Sequence, residues 1–328
     1  MKLMKVITCV IVFSLVVLAL FNLFFLFYPF ENQCKSVIIP PRSNSLQVAS
    51  ILEENGVIRS KIHFLAAGQI FKVFRNVRAG EYNFGTRVSI WMVLRKLAKG
   101  EITIHRITIP EGWTTMDICS LLAQSGLIDP KEFSELVKDA NFASGSYKFP
   151  KILEGYLFPD TYYFMKGVNT EKTIIAQMLS QFKKKVVDVY GEGIKVKGCT
   201  LDKIIIMASL IESEAIIPEE RPIIAGVFYN RLKKKMLLQC DPTVRYALGK
   251  FNGKLTTEDL KVKSSFNTYI HAGLPPNPIC NPGIAAIKAA LYPSEVDYLY
   301  FVSKNDGTHH FAKDYQDHKK AKKQYQGS

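Results

Sequence analysis

TLDKIIIMASLIESEAIIPEERPIIAGVFYNRLKKKMLLQ, residues 200–239, holds an apolar run, Ile204 to Met207, followed by two carboxylates, Glu212 and Glu214. Thr200 and Asp202 are short polar acceptors of the kind that start helices. The pattern predicts a helix from Asp202 to Ala215. At about 100° per residue, Ile205, Ala208, Ser209 and Ile216 fall on the face of Glu212. Glu214, about 200° away, is expected to point outward into solvent. A carboxyl on an apolar face is desolvated, which suits it to donate a proton near neutral pH. The plainer alternative is a Glu bonded to a nearby helix end.

Working outward, ASLIESEA (208–215), ERPIIAGVFYNRL (220–232), LQCDPTVRYALG (238–249) and FNTYIHAGLPPNPICNPG (266–283) follow one another. EGYLFPDTYYF (154–164) and DYLYFVSKNDGTHHF (297–311) flank them. In this order the blocks resemble the membrane-anchored endolytic murein transglycosylases, the YceG-like or MltG family. Cys240 and Cys280 depart from that pattern, standing where Ser or Thr and a small residue are expected. The resemblance makes Glu212 the catalytic glutamate. It implies a glycan site drawn from the same blocks: Tyr156, Asn230, Gln239, Asp241, Thr243, Asn267, Tyr269, His271 and Asn281. The loop 264–283 suits a sugar-binding wall on its own composition, because Pro275, Pro276, Pro278 and Pro282 fix φ while its Asn, Tyr and His side chains supply hydrogen bonds.

Towards the N-terminus, no residue from Val6 to Phe30 is charged. As a helix this run is about 37 Å long, enough to cross a bilayer, and it lacks the short apolar core and small-residue cleavage site of a signal peptide. Lys2 and Lys5 before it and Lys35 and Arg42 after it leave orientation undecided by charge. The resemblance implies a cytoplasmic tail (1–5), a transmembrane helix (6–30) and everything beyond it outside the inner membrane.

A repeat follows. IPPRSNSLQVASILEENGVI (39–58) aligns without a gap on IPEGWTTMDICSLLAQSGLI (109–128), at an offset of 70 residues. Each copy reads as a strand end, an N-cap near Ser45 or Thr115, an amphipathic helix and a Gly stop at Gly56 or Gly126. With strand signals at 81–84 and 102–109 and a helix over 88–100, residues 36–105 are expected to form a small LysM-like α+β domain. Residues 106–328 then form a larger α+β catalytic domain. LysM folds commonly bind N-acetylglucosamine polymers; the alternative for this unit is a spacer.

The net charge of +14 fits anionic lipid headgroups and wall glycan; no aromatic-interleaved nucleic-acid motif is present. Five of the six cysteines lie outside the expected span, an odd number without Cys-x-x-Cys spacing, so no disulfide framework follows. Ser180 and Lys183 match Ser-x-x-Lys, but its companion motifs are missing. No metal motif is seen and no cofactor is expected. The resemblance implies a lyase that cuts the bond between N-acetylmuramic acid and N-acetylglucosamine within glycan strands, leaves 1,6-anhydro ends and limits strand elongation, with peptidoglycan synthases as candidate partners. Two rivals remain. A lysozyme-type hydrolase needs a second carboxylate, for which Asp241, Glu154 and Asp160 are candidates. A non-catalytic wall-binding scaffold needs none.

Overall fold

The computed structural model describes residues 2–31, 35–142, 147–191 and 200–327, and has mixed helix and sheet. Two compact units are present: Met1–Arg106 with Tyr163–Thr170, and Ile107–Tyr162 with Glu171–Ser328.

The first unit opens with helix α1 (Lys2–Phe27), of which Met4–Phe27 is long and apolar enough to cross a membrane. The helix stops at Phe27 rather than Phe30 because Pro29 has no N–H and disfavours helical backbone at the residue before it. Phe30 instead begins strand β1 (Phe30–Glu31). Strand β2 (Ser36–Ile39), helices α2 (Ser45–Glu54) and α3 (Lys61–Ile70) and strand β3 (Gly80–Asn83) follow. The outer two of these elements pair antiparallel, Ser36 opposite Asn83 and Ile39 opposite Gly80, giving a β-α-α-β unit. Strand β4 (Arg87–Val88) pairs with β1, and helix α4 (Ile90–Lys99) starts at the Ser89 cap and stops at left-handed Gly100. Val37, Ile39, Leu52, Phe64, Tyr82 and Leu94 lie at the centre of this unit's core.

Strands β5 (His105–Thr108) and β6 (Thr161–Phe164) form a two-stranded sheet. The second unit then has α5 (Thr115–Gln124), α6 (Pro130–Lys138), α7 (Glu171–Phe182), α8 (Leu201–Glu214), α9 (Arg221–Lys233), α10 (Asp241–Leu248) and α11 (Ile284–Leu291). It closes with an antiparallel hairpin, β7 (Tyr300–Ser303) and β8 (His309–Ala312), and with helix α12 (Tyr315–Gln326), which carries the Lys-rich end. Cys34 and Cys199 lie outside the described residues.

The two repeat copies keep their register, since α2 and α5 begin and end at the same offset. Each is preceded by one residue of positive φ, Arg42 in the first copy and Gly112 in the second, and followed by another, Gly56 or Gly126. The caps sit one position earlier than expected, at Asn44 and Thr114. The reason is reciprocal bonding: each cap accepts the N–H of the residue three ahead, and that residue's side chain, Gln47 or Asp117, accepts the cap's own N–H. A cap at Ser45 or Thr115 would lose this exchange.

Asn281 ties the second unit's loops together. It is fully buried. Its side-chain oxygen accepts the N–H groups of Gly155 (3.0 Å) and Leu157 (2.9 Å), and its Nδ2 donates to the Trp113 carbonyl at 2.9 Å. Backbone bonds from Asn281 N to Trp113 O and from Gly112 N to Asn281 O run alongside. Glu154, 5% exposed, accepts from the Thr115 N–H and hydroxyl and from the Tyr246 hydroxyl. Burial pushes its carboxyl up to about 7. An Asn281→Ala substitution strands two buried N–H groups, at about 1–3 kcal/mol each. It is expected to lower stability by about 2–5 kcal/mol, read as an earlier unfolding midpoint in urea, whereas an unchanged midpoint would mean that the loops hold without it.

Candidate active site

Helix α8 carries both carboxylates. Every residue from Ile204 to Ile211 is buried. A helix apolar on all sides belongs in the middle of a fold rather than on its surface, and α8 packs against α9, α10 and α11. This overturns the picture of one inward and one outward face. The helix ends at Glu214, so Ile216 lies beyond it and is exposed, and both carboxylates project into protein-lined surroundings on different sides.

Glu212 has a side chain only 6% exposed. Arg221 Nη2 donates to its Oε1 at 3.1 Å, and the Gly283 N–H donates to its Oε2 at 2.9 Å. Both oxygens are therefore engaged by donors. A further carboxyl, Glu111, closes on the same point: a Cβ built on Gly283 would lie 1.9 Å from Glu111 Cδ, so any side chain there would have to displace the Glu111 carboxyl. Burial, and then the neighbouring Glu212, hold Glu111 above the usual carboxylate range, against the pull of Arg221. None of the expected second carboxylates takes this place. Glu154 is consumed in the Asn281 network, and Asp160 accepts from Gln181 and from the Thr161 N–H. A signal for Glu111 existed in the repeat, where it replaces Pro41 at the turn before the helix.

Glu214 opens into a cleft of about 430 Å³ that is also lined by Arg231, Gln239, Asp241, Tyr269 and His318. Burial, and then the nearby Asp241 carboxylate, push Glu214 up to about 7, while a hydrogen bond with Cys240 and the charges of Arg231 and Arg245 oppose the shift. The Tyr269 hydroxyl donates to Asp241 Oδ1 in a short hydrogen bond of 2.5 Å. Gln239 holds φ of 49°, in the left-handed region where a non-glycine residue is strained, a feature that collects at functional sites. Arg231 is a fixed wall: its Nε donates to Leu299 O at 2.6 Å and its Nη1 to Leu238 O at 2.8 Å, and its guanidinium lies 5.1 Å from the Tyr300 ring centroid.

The expected glycan residues divide accordingly. Gln239, Asp241 and Tyr269 come together on the Glu214 cleft. Tyr156 is buried with its hydroxyl on Asp202. Thr243 is buried and donates to Cys240 O, and Asn230 Nδ2 donates to Val296 O and Tyr298 O. Asn267 spends its amide on Leu260 O, Val262 O and the Tyr269 N–H. Asn281 is the clamp described above. His271 is exposed on the loop. The fully buried residues among these are bonded within the protein, and Gln239, Asp241 and Tyr269 line the open cleft.

The model of the YceG-like family matches residues 37–324. A protein of Bacillus subtilis (strain 168) named endolytic murein transglycosylase is 36% identical over 315 residues, covering 90% of this chain and 87% of that protein. One of the same name from Streptococcus pneumoniae (strain ATCC BAA-255 / R6) is 31% identical, covering 86% of this chain and 57% of its own length. The crystal structure of a yceG-like protein from Listeria monocytogenes superposes with a TM-score of 0.61 at 33% identity, covering 87% of this chain and 97% of that one. With the family model matched over nearly its whole length, the chain belongs to the YceG-like family.

Proposed function

We propose that the chain is an endolytic murein transglycosylase, anchored by α1 with both compact units outside the inner membrane, that cleaves the β-1,4 bond between N-acetylmuramic acid and N-acetylglucosamine in nascent glycan strands. The observation that carries this reading is a protonatable carboxyl, Glu214, on the wall of a cleft shared with Gln239, Asp241 and Tyr269. Membership of the family and the names of its relatives support the activity. Termination of strand elongation, beside a peptidoglycan synthase, is the role such a cut would serve. The β-α-α-β order of residues 36–83 supports a LysM-like reading of this part, and hence a second hold on glycan.

The family pattern points to Glu212 as the acid, and the geometry favours Glu214. Glu212 is bonded at both oxygens. Glu214 is held near 7 in a ligand-sized space, the condition for giving up a proton at neutral pH and taking one back. Glu154 shares that value but is sealed in the Asn281 network, which removes it from contention. In the proposed reaction the Glu214 proton passes to the glycosidic oxygen as the C1–O bond breaks. The substrate's acetamido group steadies the cationic C1. The carboxylate then takes the proton of the muramyl 6-hydroxyl as O6 bonds to C1, and no water is consumed.

A hydrolase remains the second reading, because Asp241 stands in the same cleft. A tethered hydroxyl has an effective concentration that can reach roughly 10⁵ M, which favours ring closure wherever water is not held for attack. Digestion of long glycan strands by the full chain in detergent is expected to give internal fragments ending in 1,6-anhydro-N-acetylmuramic acid, each lighter by one water than a hydrolysed end. Reducing muramic ends as the main product would transfer the assignment to Asp241-activated water.

Glu214→Gln is expected to cut turnover by about 10²–10⁴-fold with the melting temperature held. Glu212→Gln, which weakens the partnership with buried Arg221, is expected to lower the melting temperature as well. Turnover abolished by Glu212→Gln with stability intact, and retained in Glu214→Gln, would return the role to Glu212. If neither variant lost activity, the catalytic reading itself would fall and a wall-binding scaffold would stand.

The pH profile tests the same assignment. Glu214 is competent while protonated, so kcat/KM should fall as pH rises through about 7, by about tenfold per unit, and this limb should vanish from the residual activity of Glu214→Gln. Because its folded value lies above the unfolded 4.5, ionisation costs more in the folded state. The stability contribution from this group is complete below pH 4.5 and is lost as pH rises to about 7.

A further inference from the structure

The last turn of α1 does not stand free of the first unit. Phe25 stacks on His63 of α3 with ring centroids 4.7 Å apart, and Phe27 lies 5.8 Å from Trp91 of α4. Trp91 in turn meets Phe71, just past the end of α3, at 5.0 Å. Leu26 packs against the unit's core. The end of the anchor and the adjoining ends of two helices therefore form one apolar surface.

That surface continues outward. On α3, Ile62, Ala66 and Ile70 recur at i, i+4 and i+8, the spacing of a single helix face, and all three are exposed. Ile62 and Ile70 are each 73% exposed, and Phe71 is 47% exposed. A run of large apolar side chains in the open marks a surface with a partner. Lys72 and Arg75, both exposed, follow directly after it, placing cations beside the stripe as in helices that lie on anionic lipid.

The length of α1 fixes where this surface sits. Its apolar section has 24 residues, about 36 Å at 1.5 Å per residue. The hydrocarbon layer is about 30 Å thick. About one turn is left over, so Phe24–Phe27 reach the headgroup level when the other end is fixed by its lysines. His63, Phe71 and Trp91 are then at the same depth, where tryptophan is favoured.

We propose that the first unit is seated on the bilayer, with the Ile62–Ala66–Ile70 stripe and Phe71 entering the boundary between headgroups and acyl chains of the leaflet from which α1 emerges. The proposal rests on α1 spanning the membrane. Its occupant is lipid, because the stripe continues the one surface that a span must present to lipid. The seated unit would hold a fixed height and tilt instead of swinging on a tether.

The test places the photo-crosslinking residue p-benzoylphenylalanine at Ile62, Ile70, Leu46 or Phe21 of the full chain. The protein is reconstituted in vesicles of phosphatidylglycerol and phosphatidylethanolamine and weighed after irradiation. Leu46 is equally open (57%) but lies on α2, whose packing partners are α3 and β2. Lipid adducts are expected at Ile62 and Ile70, several-fold above Leu46, together with adducts at Phe21 inside the span. Adducts at Phe21 with none at Ile62 and Ile70, equal yields at Leu46, or crosslinked pairs of the protein in place of lipid adducts would each overturn the proposal. No adduct at Phe21 would remove the anchor reading first, and this one with it.

Discussion

The burial of α8 on every side is the constraint on which the rest of the second unit depends. From Ile204 to Ile211 the helix has no solvent face, so α9, α10 and α11 must surround it and its two carboxylates near the C-terminal end must be met by built partners. Glu212 is met by Arg221 and the Gly283 N–H, Glu214 by Cys240 and the rim of the cleft. One desolvated environment, supplied twice, yields a carboxyl that is fully bonded and one that titrates near neutrality. The difference comes from what surrounds each side chain and not from the helix that carries them.

Much of this was legible in the chain. Runs of apolar residues bounded by short polar residues or Gly gave α2, α4, α5 and α8 close to their observed limits, because the caps are local chemistry. The gap-free repeat predicted two equivalent turn-and-helix segments, and the structure repeats even their left-handed residues. Sidedness was harder. Period arithmetic placed Glu214 in water because it assumed one buried face, and only the neighbouring helices, gathered from residues 221 to 291, show that α8 is buried all round from Ile204 to Ile211.

The same limit explains the site. Asn267 and Asn281 looked like sugar-binding groups by composition, yet both are fully buried and bonded to backbone, where they stiffen the loop that Pro275 to Pro282 already constrain. A residue type announces that it can make hydrogen bonds but not with whom. Glu111 shows the converse. It is far from α8 in sequence and becomes visible only when the first repeat copy is laid over the second and one turn carries a carboxyl that its twin lacks.

The cysteines carry one more consequence. Cys119, Cys240 and Cys280 are buried and unpaired, and burial holds each thiol above its ordinary value. Since the thiolate is the reactive form, these groups are poor targets for oxidants while the unit is closed. Cys240 and Cys280 flank α8, one hydrogen-bonded with Glu214 and the other against Ser209 and Ser213. Any event that lets a thiol reagent reach them must first part the helices around Glu212 and Glu214. The two sulfurs are thus built-in reporters of breathing at the heart of the fold, readable as a labelling rate without any engineered probe.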